Sequence, residues 1–406
     1  MATTNEDDPE TEWKDDDFLA FGTEDNDDDE EDSASSDMEL EVVPIRDRRP
    51  PWMETIVLHH HMRPMTQLHN EILAFTSLME PLPSELQARN DLVDKLRTLL
   101  TQELPGATLE VFGSQATGLM LPTSDIDIVV LTHKAAAAAA AASPMRTFAD
   151  LVREHLKPTY LETIANTRIP LVKFTVDGLQ VDVSFNQPTG PPAAKLMKQM
   201  LQDLPPLRPV TIVLKYFLAA RGLNEPYSGG VGSYMLQLML LAVLQYRERL
   251  APEQNLNLGS ILIDFMELYG LELNYFTTGI SVRQGGSFFR KGARDKKATF
   301  YMPSRPFSLA LEDPLDISND VGKGSFRMQV LQRAFSIAYR TLLSHVAHPV
   351  RAARHNSILA SILPVSEYML ERRILKRKYD RNNKSQQSGK RRRPSDRSPP
   401  KKRRKR

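Results

Sequence analysis

The chain has 406 residues, more than one compact core usually holds, and no cysteine. Two packed domains are therefore expected, while a disulfide framework, a cysteine-ligated zinc site and a thiol nucleophile are excluded. The net charge of +1 conceals a polarity: residues 1–42 carry 19 Asp or Glu against one Lys, and residues 372–406 carry 18 Lys or Arg against two Asp. Such like-charge blocks repel themselves and are expected to be disordered, as an acidic arm over 1–48 and a basic tail over 373–406. The acidic start does not read as a secretory signal, and the most apolar run, Met235 to Leu244, is too short to span a bilayer. A soluble, intracellular protein with no membrane partner is expected.

In the arm, Trp13 and Phe18-Leu19-Ala20-Phe21 set bulky apolar groups inside an Asp-rich run. They read either as ordinary solvated tail or as a short motif that folds onto a partner. Order is expected from Pro51-Trp52, with amphipathic helices over 53–78 and 86–103 separated by Pro81-Leu82-Pro83, and Ser84 as the second helix's N-cap. His59-His60-His61 are adjacent rather than helically spaced, and read as structural or exposed. Leu109 to Phe112 and Ile126 to Leu131 read as strands around Gly113-Ser114. Eight alanines, 135–142, suggest a surface insertion before a helix at 145–156. Leu171 to Val176 and Leu179 to Phe185 flank Asp177-Gly178, the signal for a hairpin with a type I′ turn. Helices follow at 193–202, 208–221, 231–249 and 258–269. After a loop-rich basic stretch at 281–305, two more are expected at 324–347 and 355–374.

The central chemical signal is Asp125-Ile126-Asp127. Alternate strand residues share a face, so two carboxylates stand together while Ile126 and Ile128 enter the core. Two adjacent carboxylates repel unless a cation compensates, and Mg²⁺ or Mn²⁺ favours such oxygen ligands. In Val181-Asp182-Val183-Ser184-Phe185, Asp182 faces away from the apolar side. A sheet placing it beside the Asp125/Asp127 strand would complete a three-carboxylate, two-ion site for phosphoryl transfer. Gly113 and Ser114, just ahead, would let backbone amides and a hydroxyl approach a nucleotide's phosphates.

Phe112-Gly113-Ser114-Gln115-Ala116-Thr117-Gly118, Leu121 to Asp127 and Val181 to Asn186 together resemble the signature of the polymerase-β-type nucleotidyltransferases. Leu223-Asn224-Glu225-Pro226-Tyr227-Ser228-Gly229-Gly230-Val231-Gly232-Ser233-Tyr234 and Asn319-Asp320-Val321-Gly322 resemble the TRAMP-type nuclear poly(A) polymerases within that group. The resemblance implies an α+β fold, with a mixed-sheet palm and a helical central domain, and the active site in the cleft between them. It places an N-terminal helix at 49–84, packed on the central domain, the catalytic domain at 85–192 and the helical domain at 193–372.

By the same resemblance Asp125, Asp127 and Asp182 are catalytic and hold two Mg²⁺ or Mn²⁺ ions. Nucleotide contacts fall to Gly113, Ser114, Gly190, Lys215, Ser233, Tyr234, Asn319 and Lys323. Lys215 would meet phosphates, Gly190 would admit the nucleotide closely, Tyr234 would stack on the base and Asn319 would read it. Ser233 can bond a phosphate at a helix N-terminus. Uridylyl-specific relatives tend to carry a His in the Asn319 segment and a second Lys one turn after the position of Lys215, here Ala219, so ATP is expected. Two departures stand out: Thr189-Gly190 where relatives often have Asn-Gly, and Lys323 where they have Arg, which keeps the charge but loses the guanidinium fork.

The implied reaction adds AMP from ATP to RNA 3′ ends, without a template. Implied partners are a zinc-knuckle RNA-binding protein and an RNA helicase, with the nuclear exosome reached indirectly. A uridylyltransferase and a non-catalytic decay scaffold are the competing readings. Arg283, Arg290, Lys291, Arg294, Lys296 and Lys297, with Phe288 and Phe289, read equally as an RNA-binding loop or a solvated one. Lys390 to Arg393 and Lys401 to Arg406 read as a nuclear import signal, placing the protein in the nucleus or nucleolus.

Overall fold

A computed structural model describes residues 49–59, 61–132, 143–165, 169–250, 257–292, 300–348 and 357–390, with side chains placed to residue 381. The acidic arm with Trp13 and Phe18 to Phe21, His60, the alanine run, Arg294, Lys296, Lys297 and the basic segment beyond Lys390 lie outside the described residues.

The first helix, α1, runs Pro64–Met79, later than the pattern suggests, because Pro64 supplies the first helical position and the chain leaves the preceding turn in extended form at Ile56. The preceding Pro51–Thr55 forms a 3-10 turn that buries Trp52 and Met53. Helix α2, Pro83–Glu103, likewise starts on its proline, so Ser84 is not the cap. Leu82 takes that place, its amide donating to Glu85 Oε2 at 2.7 Å.

Strand β1 (Thr108–Val111) leads into a short helix α3 (Gly113–Thr117), then β2 (Ile126–Leu131), α4 (Pro144–Leu156), β3 (Tyr160–Ile164), β4 (Leu171–Val176) and β5 (Leu179–Phe185). The five strands form one mixed sheet in the order β1-β2-β5-β4-β3. Asp177 and Gly178 both have positive φ, 50° and 77°, as a type I′ turn requires. Inward residues of β2, β4 and β5 (Ile126, Ile128, Phe174, Val181 and Val183) pack with Leu96 of α2 and Phe148 of α4 in one core.

Helices α5 (Gly190–Asp203), α6 (Leu207–Ala219), α7 (Ser233–Leu250) and α8 (Leu258–Glu267) follow. The basic stretch expected to be loop instead contributes β7 (Ser287–Arg290), paired with β6 (Thr278–Ser281), which also pairs with β8 (Ala310–Leu311). A 3-10 turn, Val321–Gly324, precedes α9 (Met328–Ala347). The last helix, α10, starts at Glu367, after Pro364, and runs to Lys390, into the basic segment. Trp52 and Phe75, near the N-terminus, share a second core with Phe217 of α6, Leu240 of α7, Phe265 of α8 and Phe335 of α9. Leu119 and Leu121, from the loop between α3 and β2, insert into that second core. The loop leading to Asp125 is therefore anchored by the helical part of the molecule. No helix among the described residues is long and apolar enough to cross a membrane.

Candidate active site

Strands β2 and β5 are parallel neighbours, and their register sets Asp127 opposite Asp182. Asp125 stands one residue ahead of β2 rather than on it. The motif is therefore a loop carboxylate and a strand carboxylate at the strand's leading end. Burial first, then Asp125 and Asp182, pushes Asp127 up to about 7, against the opposing effects of Lys215 and a hydrogen bond from the Ser114 amide. Burial and the two neighbouring carboxylates together hold that proton.

Gly113 makes room for this carboxylate. Its φ is +62°, and a Cβ there would lie 1.9 Å from Asp127 Oδ2. Only glycine tolerates that backbone and that contact together. Ser114 then turns its amide to Asp127, so the amide expected to meet phosphate is engaged within the protein. Thr117 Oγ1 donates to the carbonyls of Gly113 and Ser114 at 3.1 and 3.2 Å, closing the turn.

Two lysines face the carboxylates. Lys173 of β4 is the cross-strand partner of Asp182, with Nζ 2.5 Å from Oδ2. The hairpin turn dictates this pairing: counting outward from Asp177-Gly178 sets these two residues opposite each other. Burial raises Asp182 and the bond from Lys173 opposes that rise. Lys215, from the apolar helix α6, is buried and donates to the Leu119 carbonyl at 3.0 Å. Burial pulls it down to about 8 against the attraction of Asp127 and Asp125. Its ammonium thus braces the loop running to Asp125. Glu225 also faces this cluster: burial raises its pKa first, followed by Asp125.

A second group of contacts lies at the start of α7. Tyr234 Oη donates to Asp313 Oδ1 at 2.8 Å, and Asn319 Nδ2 donates to Asp313 Oδ2 at 2.9 Å. Asp313, not singled out from the sequence, joins the two residues expected at the base. With its amide nitrogen turned to Asp313, Asn319 keeps a side-chain oxygen that can accept a hydrogen bond. The capping role falls to Asp320, whose Oδ1 accepts from Leu311 N and Gly322 N, each at 2.9 Å. Lys323 is exposed on the turn that follows, and Ser233 is the first residue of α7.

Gly190 and Lys291 also make contacts within the protein. A Cβ on Gly190 would lie 2.7 Å from the Phe112 ring, so this glycine serves the packing of α5 on the strand end. Lys291 is buried and donates to the carbonyls of Tyr275, Pro306 and Ser308, so it is no part of a free basic loop.

The oxygen donors of Asp125, Asp127 and Asp182 fit hard divalent cations in kind. As they stand, no group of three acidic or imidazole side chains among the described residues is close enough to hold an ion. Lys173 engages one oxygen of Asp182 at 2.5 Å.

The five-stranded mixed sheet with carboxylates on its two central strands defines a nucleotidyltransferase palm. Residues 68–202 match the family described as poly(A) RNA polymerase, mitochondrial-like, central palm domain, and residues 257–319 match the Cid1 family poly A polymerase description. The polymerase core of TRAMP, an RNA surveillance complex, superposes with a TM-score of 0.67 at 31% identity, over 77% of this chain and 98% of that one. Poly(A) RNA polymerase protein 1 of Saccharomyces cerevisiae is 35% identical over 72% of this chain and 46% of its own length. A Drosophila melanogaster relative named as an inactive poly(A) RNA polymerase, Trf4-2, is 30% identical over 80% of both chains. The chain belongs to the Trf4/Cid14-type poly(A) RNA polymerases, within the polymerase-β-like nucleotidyltransferases. It spans about half or less of the length of the Saccharomyces and Cryptococcus relatives, at 46% and 39%.

Proposed function

We propose that the chain is a template-independent poly(A) RNA polymerase that adds AMP from ATP to RNA 3′ ends. The observation that carries this reading is the register of β2 and β5, which sets Asp127 beside Asp182, with Asp125 one step ahead. In the reaction the RNA 3′-hydroxyl attacks the α-phosphorus of ATP in line, and pyrophosphate leaves. Two Mg²⁺ or Mn²⁺ ions held by Asp125, Asp127 and Asp182 would supply charge stabilisation to the nucleophile and to the leaving group. Asp182 stands where it can accept or orient the hydroxyl proton, and Lys173 favours its ionised form. Lys215, at the Leu119 carbonyl, fixes the loop and adds positive charge behind Asp127 and Asp125. Tyr234 and Asn319 share Asp313, and in this reading Asn319 selects adenine.

We place this polymerase in the nucleus, in a TRAMP-like complex with a zinc-knuckle RNA-binding protein and an RNA helicase, tagging RNAs for the exosome. The likeness to the TRAMP polymerase core supports this placement. An inactive relative keeps the scaffold reading open to test. Incubation of labelled RNA with Mg²⁺ or Mn²⁺ and each NTP in turn decides: extension with ATP alone supports the proposal, extension with UTP alone replaces it with uridylyl transfer, and no extension with any nucleotide leaves the scaffold. Asp125→Ala and Asp127→Ala should each abolish addition, and wild-type rates in either would remove the two-ion reading. Asp182→Ala should also stop addition while sparing much of the ATP binding.

A further inference from the structure

Asp127 is fixed by the sheet: its carbonyl accepts from Phe112 N at 3.0 Å, and its strand is in register with β5. Asp125 lies outside that ladder, which begins at Ile126. Its place depends on the loop Pro122-Thr123-Ser124, where Leu121 N donates to Ser124 Oγ at 2.9 Å. That loop is gripped from α2. Arg89 is buried, and its Nη2 donates to both Pro122 O (3.2 Å) and Ser124 O (2.5 Å). The second carbonyl belongs to the peptide bond entering Asp125.

Arg89 is itself held in place. Glu85, one turn earlier, is engaged by Arg372 of α10, whose Nη1 and Nη2 reach Oε1 and Oε2 at 2.8 and 3.1 Å. Arg372 is almost wholly buried and also donates to the Leu78 and Glu80 carbonyls. With Glu85 committed to Arg372, the Arg89 guanidinium remains on the loop carbonyls. Its Nη1 is buried with no hydrogen-bond partner among the described residues, and its charge is within electrostatic reach of Asp125. A buried cation left partly unpaired is costly, so shape alone is a poor account of it.

We propose that Arg89 is a positioning residue for Asp125: it fixes the loop so that this carboxylate stands ready to join Asp127 and Asp182 around a divalent cation. The inference rests on the nucleotidyltransferase reading of the site. Displacing a ligand by about 1 Å can cost roughly 100-fold in rate, and a carboxylate on an untied loop must be ordered each time a cation binds.

The test uses the full chain with Arg89→Met and Arg89→Lys, and Arg97→Lys as a control on the same helix, where Arg97 makes only an exposed pair with Asp94. Two readouts are needed: Mn²⁺ binding to the ATP-free protein by electron paramagnetic resonance, and AMP addition at saturating ATP across a Mg²⁺ series. Both Arg89 variants should bind Mn²⁺ several-fold more weakly, need more Mg²⁺ for half-maximal rate, and lose roughly 10- to 100-fold in kcat, with KM for RNA unchanged. Arg97→Lys should match wild type. A purely structural role would lower Tm while the folded variants kept wild-type Mn²⁺ affinity and Mg²⁺ dependence, and that result overturns the proposal. If Arg89→Met fails to fold, the charge-preserving lysine variant carries the same comparison. Wild-type protein that adds no AMP would defeat the polymerase reading instead, and Mn²⁺ binding would still judge Arg89.

Discussion

The hydroxyl of Tyr234 donates to Asp313 at 2.8 Å, tying the first turn of α7 to the loop that carries Asn319. Tyr234 is expected to stack on the base, and its ring and its hydroxyl have separate jobs. Tyr234→Phe keeps the ring and removes one donor from a buried carboxylate. We expect KM for ATP to rise roughly five- to thirtyfold, the equivalent of ~1–2 kcal/mol, with a smaller change in kcat. Steady-state kinetics on one RNA primer check this, and an unchanged KM would show that the bond only supports the fold.

Asn319→His should lower the ratio of AMP to UMP incorporation on the same primer. The exchange removes the amide oxygen that the proposed reading sets against the adenine amino group, while leaving the Asp320 cap untouched. One polar contact is worth about 1–3 kcal/mol, so the ratio should fall by roughly one to two orders of magnitude. Full activity with the wild-type ratio would move base selection elsewhere in the cleft.

Asp127→Asn should stabilise the metal-free protein while ending catalysis. The folded-state pKa of Asp127 is raised from 3.8 to about 7. Below the unfolded value both states are protonated and nothing is lost. As pH rises from 4 to 7 only the unfolded state ionises freely, so folding becomes less favourable, and above 7 the full penalty remains. Asparagine carries no such penalty, and the gain at pH 8 is on the order of 1–4 kcal/mol. Melting curves in EDTA should show a higher Tm for the variant at pH 8 and nearly equal values at pH 4; equal Tm at both pH values would mean Asp127 is not under this strain.

Gly113→Ala should destroy addition and lower Tm. The new methyl would collide with the Asp127 carboxylate in a backbone conformation that side chains rarely take. A loss of at least 100-fold in kcat is expected, on the order of 3 kcal/mol in the barrier. Gly178→Ala, at an open hairpin turn, provides a control for positive φ alone and should retain most activity.

Deleting residues 388–406 removes both Lys/Arg clusters and should shift a fluorescent fusion from nucleus to cytoplasm. Unchanged nuclear signal in cells without the proposed partners would refute an import role for these clusters.

Strands β4 and β5 are legible because apolar residues largely alternate along them and Asp177-Gly178 punctuates the hairpin, and β2 because it is a short run of branched apolar residues broken only by Asp127. Strand β3 is not: Tyr160–Ile164 lies at the sheet edge, mostly exposed, and shows no apolar face. Strands β6 and β7 are four residues each, and Gly279 lies under the Phe289 ring, so a glycine stands where a strand pattern calls for bulk. Helix starts are misplaced by several residues at Pro64 and Pro83, where proline opens the helix, but only by one at Pro144. In the site, the three carboxylates are readable because they fall in recognisable spacing. Arg89 and Asp313 are not, since each meets its partner through tertiary packing rather than through a local motif, whereas the pairing of Lys173 with Asp182 follows from the hairpin register once the turn is placed.

Helix α10 belongs to the body at one end and to the basic segment at the other. Met369, Leu370 and Arg372 are buried, yet the same helix continues to Lys390, a reach of about 36 Å at 1.5 Å per residue. Shortening the chain is therefore graded by position. Loss of residues beyond 390 leaves every described contact in place, whereas a cut ahead of Arg372 strips the Glu85 carboxylate of its counter-ion and opens the seam between α1 and α2. A nested series of truncations should show a sharp step in yield of folded protein at that arginine, with a plateau on its far side.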